Sequence, residues 1–215
     1  MADKKYKMHV ISGTHWDREW RHTAEQSKPM LIELIDDMMD VLENNPDYKS
    51  FCLDGGTVVL EDYFTVRPEN RDRLTKLIKQ GRVQLVSWYT LPESFTVAPE
   101  CILRNLLKGK EMAKEYGGAM SSGYTATGYG QTSQLPQIYA GFGIHNTIFY
   151  RGTNKYLHKP LMLWQGKDGT KIHLLRTFDE VTRTNWFFYV HQPLVTGKPP
   201  RTLTYNYDAS HFPAH

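Results

Sequence analysis

The chain has 215 residues, with 26 basic and 23 acidic side chains, a net charge of +3 and 40% apolar residues. That is enough for one sizeable α/β domain or the larger part of one, and it excludes a disordered acidic or basic tail. The scattered Lys and Arg mark no nucleic-acid surface, and there is no unbroken apolar run of about 18 residues to span a membrane.

In chain order, Lys7–Ser12 reads as a short buried strand that meets polar residues at once: Gly13, Thr14, His15. Lys28–Asn44 reads as an amphipathic helix, since Met30, Leu31, Leu34, Ile35, Met38, Val41 and Leu42 recur at helical steps and Asn45-Pro46 stops it. Ser50–Leu53 is a second strand ending at Asp54-Gly55-Gly56. Helices are expected over Val58–Tyr63 and Arg71–Lys79, the latter closed by Gly81. The alternation of Arg82–Ser87 predicts a third strand running into Trp88-Tyr89-Thr90. Pro99–Tyr116 reads as a helix with Ile102, Leu103, Leu106, Leu107 and Met112 on its apolar side. Ser121–Tyr124 is a fourth strand, Leu135–Ala140 a short helix, and Thr147–Tyr150 a fifth strand ending at Arg151-Gly152-Thr153.

This β-α-β-α alternation predicts a mostly parallel sheet with flanking helices, whose active site lies at the carboxyl ends of the strands. After Leu161 the pattern changes. Leu161–Gln165 and Lys171–Leu175 flank Gly166-Lys167-Asp168-Gly169, a hairpin signature. Residues 191–215 read as an irregular Pro- and polar-rich tail with no closing element, so the barrel is expected to be incomplete and residues 1–215 to be the N-terminal part of a larger domain. Its unclosed sheet would expose an edge and an apolar face, which predicts self-association. Cys52 and Cys101 lie in apolar stretches, form no CxxC pair and read as small buried hydrophobes. With no signal-peptide apolar region at the start, a reducing, cytoplasmic setting is expected.

The chemistry concentrates in Thr14-His15-Trp16-Asp17-Arg18-Glu19-Trp20. In an extended segment His15 and Asp17 point to the same side, so an imidazole and a carboxylate can reach one ion; this N/O pair suits zinc or another divalent first-row metal. Two ligands make half a site, and the plain alternative is a solvated loop His beside a hydrogen-bonded Asp. Trp20 could floor a sugar pocket or merely cover the core, and Arg18 and Glu19 read as a local ion pair.

This heptapeptide resembles the opening signature of glycoside hydrolase family 38, the retaining α-mannosidases. Four more segments are similar to the family in the same order: LDGGTVVLEDY at 53–63, VSWYTLPESFTVAPECILRNLL at 86–107, GYTATGYGQTSQLPQIYAGFGI at 123–144 and FYRGT at 149–153. The resemblance covers at least residues 7–176. It implies an incomplete seven-stranded β/α barrel of glycoside hydrolase/deacetylase type and hydrolysis of terminal α-mannosyl groups of oligosaccharides. It also implies one divalent metal per site, zinc or another, that grips the mannose 2- and 3-hydroxyls. His15 and Asp17 match two metal ligands, Trp20 a sugar-stacking residue, Tyr129 an aromatic lining the sugar subsite, and Arg151 a base that holds nucleophile and sugar. A forked guanidinium suits that last task.

One position departs from the pattern. Gly123 and Gly130 fix the register of the nucleophile segment, which puts Thr127 where the family carries an Asp that also binds the metal. A threonine hydroxyl is un-ionised at neutral pH and cannot readily displace an anomeric leaving group without a base. Retaining hydrolysis requires two carboxylates roughly 5 Å apart, and Glu93 and Asp54 are the local substitutes. The family's remaining metal-ligand His and its acid/base Asp match no segment of this chain; Asp179-Glu180 reads as structural. A non-catalytic carbohydrate-binding protein is therefore an alternative to the hydrolase. A metal-dependent deacetylase would require a second His near Asp17, and only His22 is close.

Overall fold

The structure is a computed structural model, and it describes residues 9, 11–125, 128–149, 159–176 and 192–197. Two sheets carry the fold. Strands β1 (Ser12–Gly13), β2 (Phe51–Leu53) and β3 (Val83–Leu85) pair in parallel in that order. Strands β4 (Gly123–Tyr124), β5 (Asn146–Phe149), β6 (Leu161–Gln165) and β7 (Lys171–Arg176) form the second sheet in the order β4-β5-β7-β6, with β6 antiparallel to β7 and the rest parallel. The mostly parallel α/β reading is thus the observed architecture, and the hairpin falls where its turn signal put it. Gly169 supplies the positive φ of that turn, and Asp168 accepts from the Thr170 amide.

Among the described residues the two sheets are joined by hydrogen bonds other than strand pairing. The Met120 amide donates to Leu85 O at 2.9 Å, the Ser87 hydroxyl to Met120 O at 3.1 Å, and the Trp88 indole to Tyr124 O at 2.9 Å. Trp88 is therefore not at the site rim where the sequence put it. It is fully buried, edge-on to Tyr139, because its one polar atom finds a backbone acceptor inside the core.

Helices α1 (Ala24–Asn44), α2 (Val58–Val66), α3 (Arg71–Lys79), α4 (Pro99–Tyr116) and α5 (Leu135–Gly141) fill the connections, and a short α6 (Gln192–Thr196) lies inside the stretch read as irregular. Helix α1 starts four residues before the expected Lys28. The reason is a capping box: Thr23 Oγ accepts from the Gln26 amide, and the Gln26 side chain accepts from the Thr23 amide. Pro29 lies inside the helix, one turn beyond the box, and its missing N–H costs one helical bond there.

The buried stripe of α1 also differs in detail. Leu31, Ile35, Met38 and Leu42 are buried as expected, and Ile32 and Met39 join them, whereas Met30 and Val41 are exposed. On α4, Leu103 and Leu107 are likewise exposed, and so is Cys101, contrary to its reading as a buried hydrophobe. Cys52, in β2, is partly buried, and loss of solvent with Asp54 nearby pushes its thiol up to about 12.

One core packs α1–α3 and the end of α4 on β2 and β3; a second joins Trp88, Ile102, Leu106, Leu135, Tyr139 and Ile172 beneath the other sheet. The opposite faces of the strands line an apolar trough of about 490 Å³ that includes Ile11, Tyr124, Ile148, Leu161 and Leu175. Among the described residues, Ile11, Leu161, Leu163 and Leu175 are exposed apolar side chains. No helix among the described residues is long and apolar enough to cross a membrane.

Helix α4 lies hard against the chain leaving β3. A Cβ at Gly109 would stand 2.3 Å from Ser87 O and 2.4 Å from Tyr89 N. In an open helix, Gly→Ala stabilises by about 1 kcal/mol; here Gly109→Ala is expected to destabilise by about 1–3 kcal/mol, read as a lower urea midpoint with an unchanged slope.

Candidate metal and sugar site

The site is built where β1, β2 and β3 end. After β1 the chain turns outward through residues 14–20, anchored at both ends. The Thr14 amide donates to Cys52 O at 3.1 Å, and Arg18 holds Asp62 on α2 through Nε at 2.7 Å and Nη2 at 3.1 Å. The sequence paired Arg18 with Glu19. That contact exists at 3.3 Å, but the two-pronged bond to Asp62, 44 positions away, dominates and raises the Arg18 pKa.

Held this way, His15 and Asp17 converge: His15 Nε2 lies 3.0 Å from Asp17 Oδ1. The other ring nitrogen, Nδ1, lies 3.4 Å from Asp54 Oδ2 at the end of β2. Asp54 is 1% exposed, and its Oδ1 is buried with no hydrogen-bond partner. The imidazole thus stands between a half-exposed carboxylate and a buried one.

The turn after β2 permits this crowding. Gly55 and Gly56 have φ of +113° and +87°, and a Cβ on Gly55 would meet the Trp16 side chain at 2.9 Å, while one on Gly56 would meet Tyr89 O at 2.2 Å. After β3, Asn105 of α4 fixes the next wall: its side-chain oxygen accepts from the Tyr89 and Thr90 amides and its nitrogen donates to Thr90 O. Tyr89 itself faces the helices, donating to Glu61 at 2.8 Å with Lys108 over its ring.

The result is a cleft of about 370 Å³ whose lining includes His15, Asp17, Trp20, Thr90, Glu93 and Tyr129. Trp20 and Tyr129 are 67% and 64% exposed, and both line its mouth. Glu93 Oε2 accepts from the Tyr129 amide at 2.7 Å, which ties the loop after β3 to the turn carrying Tyr129. Of the sequence-predicted residues, His15, Asp17, Trp20 and Tyr129 are brought to one cleft. Thr127, Arg151 and Asp179-Glu180 lie outside the described residues. His22 is exposed, away from this cleft in a shallow depression along residues 19–26.

Sequence reasoning missed the wall formed by Thr90, Leu91 and Pro92 and the clamp by Asn105. Pro92-Glu93 after a strand is a loop signal, but nothing local ties Asn105 to residues 15 positions back.

The donor chemistry of the converging pair, an imidazole nitrogen facing a carboxylate oxygen, fits a divalent cation as half of a coordination sphere. Among the described residues no group of three or more His, Cys, Asp or Glu side chains is arranged to hold an ion.

Comparison with known proteins adds lineage to this geometry. Residues 5–206 match the glycosyl hydrolases family 38 N-terminal domain. The chain is 34% identical over 181 residues to a protein from Halalkalibacterium halodurans provisionally assigned as a mannosylglycerate hydrolase, covering 78% of this chain and 20% of that protein. Among solved structures it resembles an α-mannosidase from Enterococcus faecalis V583, with TM-score 0.74, 34% identity, and coverage of 77% of this chain and 19% of that one. A second Enterococcus faecalis protein, described as belonging to glycosyl hydrolase family 38, gives TM-score 0.66 at 29% identity over 86% of this chain and 21% of that chain. The 4-α-glucanotransferase of Thermococcus litoralis shares the fold at 16% identity, with TM-score 0.66 over 87% of this chain and 29% of that one. The chain spans about a fifth of the length of the relatives of the first three comparisons.

Proposed function

Since the chain belongs to glycoside hydrolase family 38, we propose that it supplies the sugar- and metal-binding part of an α-mannosidase-type glycosidase acting on terminal α-mannosyl groups of oligosaccharides. The observation that carries this reading is the convergence of His15 Nε2 and Asp17 Oδ1, 3.0 Å apart, in a cleft rimmed by Trp20 and Tyr129. The flat apolar face of a pyranose packs on such rings, and Trp and Tyr offer large contact area with few rotors to freeze.

In this reading His15 and Asp17 would hold a divalent ion, zinc or another, whose Lewis acidity fixes neighbouring sugar hydroxyls. Trp20 and Tyr129 orient the ring, and Arg151 orders the reacting end by forked hydrogen bonds. Elemental analysis after dialysis against zinc is expected to find metal on the chain, and His15→Ala and Asp17→Ala each to lower it at least several-fold. Equal metal in all three proteins would remove the basis of the reading.

Thr127 favours a second reading beside it. A hydroxyl at the nucleophile position leaves the chain able to bind sugar without forming a glycosyl-enzyme bond, as a carbohydrate-binding relative of the hydrolases would. Glu93 is a carboxylate of the same cleft, but its Oε2 is engaged by the Tyr129 amide. The two readings separate on Thr127→Asp: gain of hydrolysis of an aryl α-mannoside, whose good leaving group departs without an acid, supports a hydrolase limited by its missing nucleophile, whereas mannoside binding without turnover in both proteins supports the binding role.

The exposed Ile11, Leu161, Leu163 and Leu175 support self-association of the 215-residue chain through its strand faces. Sedimentation velocity is expected to show a concentration-dependent rise in mass; a monomer across micromolar to millimolar concentrations would refute it.

A further inference from the structure

We propose that Asp54 is a positioning residue that keeps the side-chain proton of His15 on Nδ1 and so turns the Nε2 lone pair toward Asp17 and the cleft. The inference rests on the metal reading of His15 and Asp17 for its purpose, but its geometry stands without it.

A carboxylate has no proton to give, so each of the two contacts of His15 is a hydrogen bond only if the ring nitrogen concerned carries the hydrogen. Neutral imidazole has one. The contact to Asp17 is the shorter, 3.0 Å against 3.4 Å, and distance alone would send the proton there. Solvation reverses the choice. The Asp17 side chain is 45% exposed and has water for its oxygens, whereas Asp54 is 1% exposed. Asp54 Oδ1 already lacks a partner. Denying Oδ2 its donor as well would leave a buried carboxylate with neither oxygen bonded to His15 or to water, which costs far more than leaving Asp17 to solvent.

With the proton on Nδ1, an unprotonated nitrogen and a carboxylate oxygen face each other at 3.0 Å. Two lone pairs at that distance repel, and a cation between them relieves the repulsion. Asp54 thereby selects the tautomer and orients the ring, as carboxylates behind metal-bound histidines do. The position is built in: at Gly55 and Gly56 the missing side chains let the strand end lie against Trp16 and Tyr89, where a Cβ would clash.

The test has two independent arms. In metal-free Asp17→Ala at pH 8, where the competing contact is gone, the ¹⁵N shifts of His15 are expected to report the hydrogen on Nδ1. Adding Asp54→Ala is expected to move it predominantly to Nε2. In the otherwise unaltered chain, zinc affinity measured by competition with a chromophoric chelator is expected to fall about 10–100-fold in Asp54→Ala, and less in the near-isosteric Asp54→Asn, which guards against a folding defect. A hydrogen on Nε2 in Asp17→Ala, or a tautomer indifferent to residue 54, overturns the proposal. The expected tautomer shift in a chain that binds no zinc upholds the positioning role and sinks the metal reading instead.

Discussion

The turn Asp54-Gly55-Gly56 is the constraint on which the rest of the site depends. Two successive glycines with positive φ let the end of β2 lie against the β1 loop on one side and the β3 exit on the other, at distances no Cβ tolerates. A strand end in such a place has little freedom, so its one charged side chain is buried, directed at His15 and only partly satisfied. Gly109 does the same for α4, whose approach to Ser87 and Tyr89 brings Asn105 onto the loop that walls the cleft. The candidate site residues are thus carried by strand ends, but their spacing is set by where side chains are missing.

This packing gives the cleft a division of labour. Residues facing the core are tied by backbone bonds or fully buried, as Trp88 is through Tyr124 O. Residues facing solvent, such as Trp20, Tyr129 and Asp17, stay largely exposed along its lining. Arg18, clasping Asp62, keeps the loop between these layers from swinging. Such rigidity suits a ligand recognised by ring stacking and by a fixed pair of donors, because little side-chain freedom remains to be lost on binding.

Belonging to a hydrolase family and having threonine at position 127 pull in different directions. The family fold extends over most of the chain, while retaining hydrolysis depends on two carboxylates at fixed places. A lineage can keep the first and lose or relocate the second, and this chain spans only about a fifth of its relatives' length. Glu93, already tied to the Tyr129 amide, serves the shape of the cleft in the structure described.

Alone, the sequence determined most of the element types and the mostly parallel pairing of the strands, because hydrophobic period and Gly/Pro punctuation are local signals. It also determined that His15 and Asp17 share a side, since an extended backbone alternates. The start of α1 was legible in principle from Thr23 and Gln26, but the apolar period begins only at Met30, and the expected start at Lys28 followed that period. Only the tertiary structure decided that Arg18 belongs to Asp62, that Trp88 is core rather than rim, that Asn105 clamps the β3 exit and that Asp54 stands behind His15. Those four facts join residues 15 to 44 positions apart, and no local pattern encodes which of several polar partners a folded chain brings within hydrogen-bonding distance.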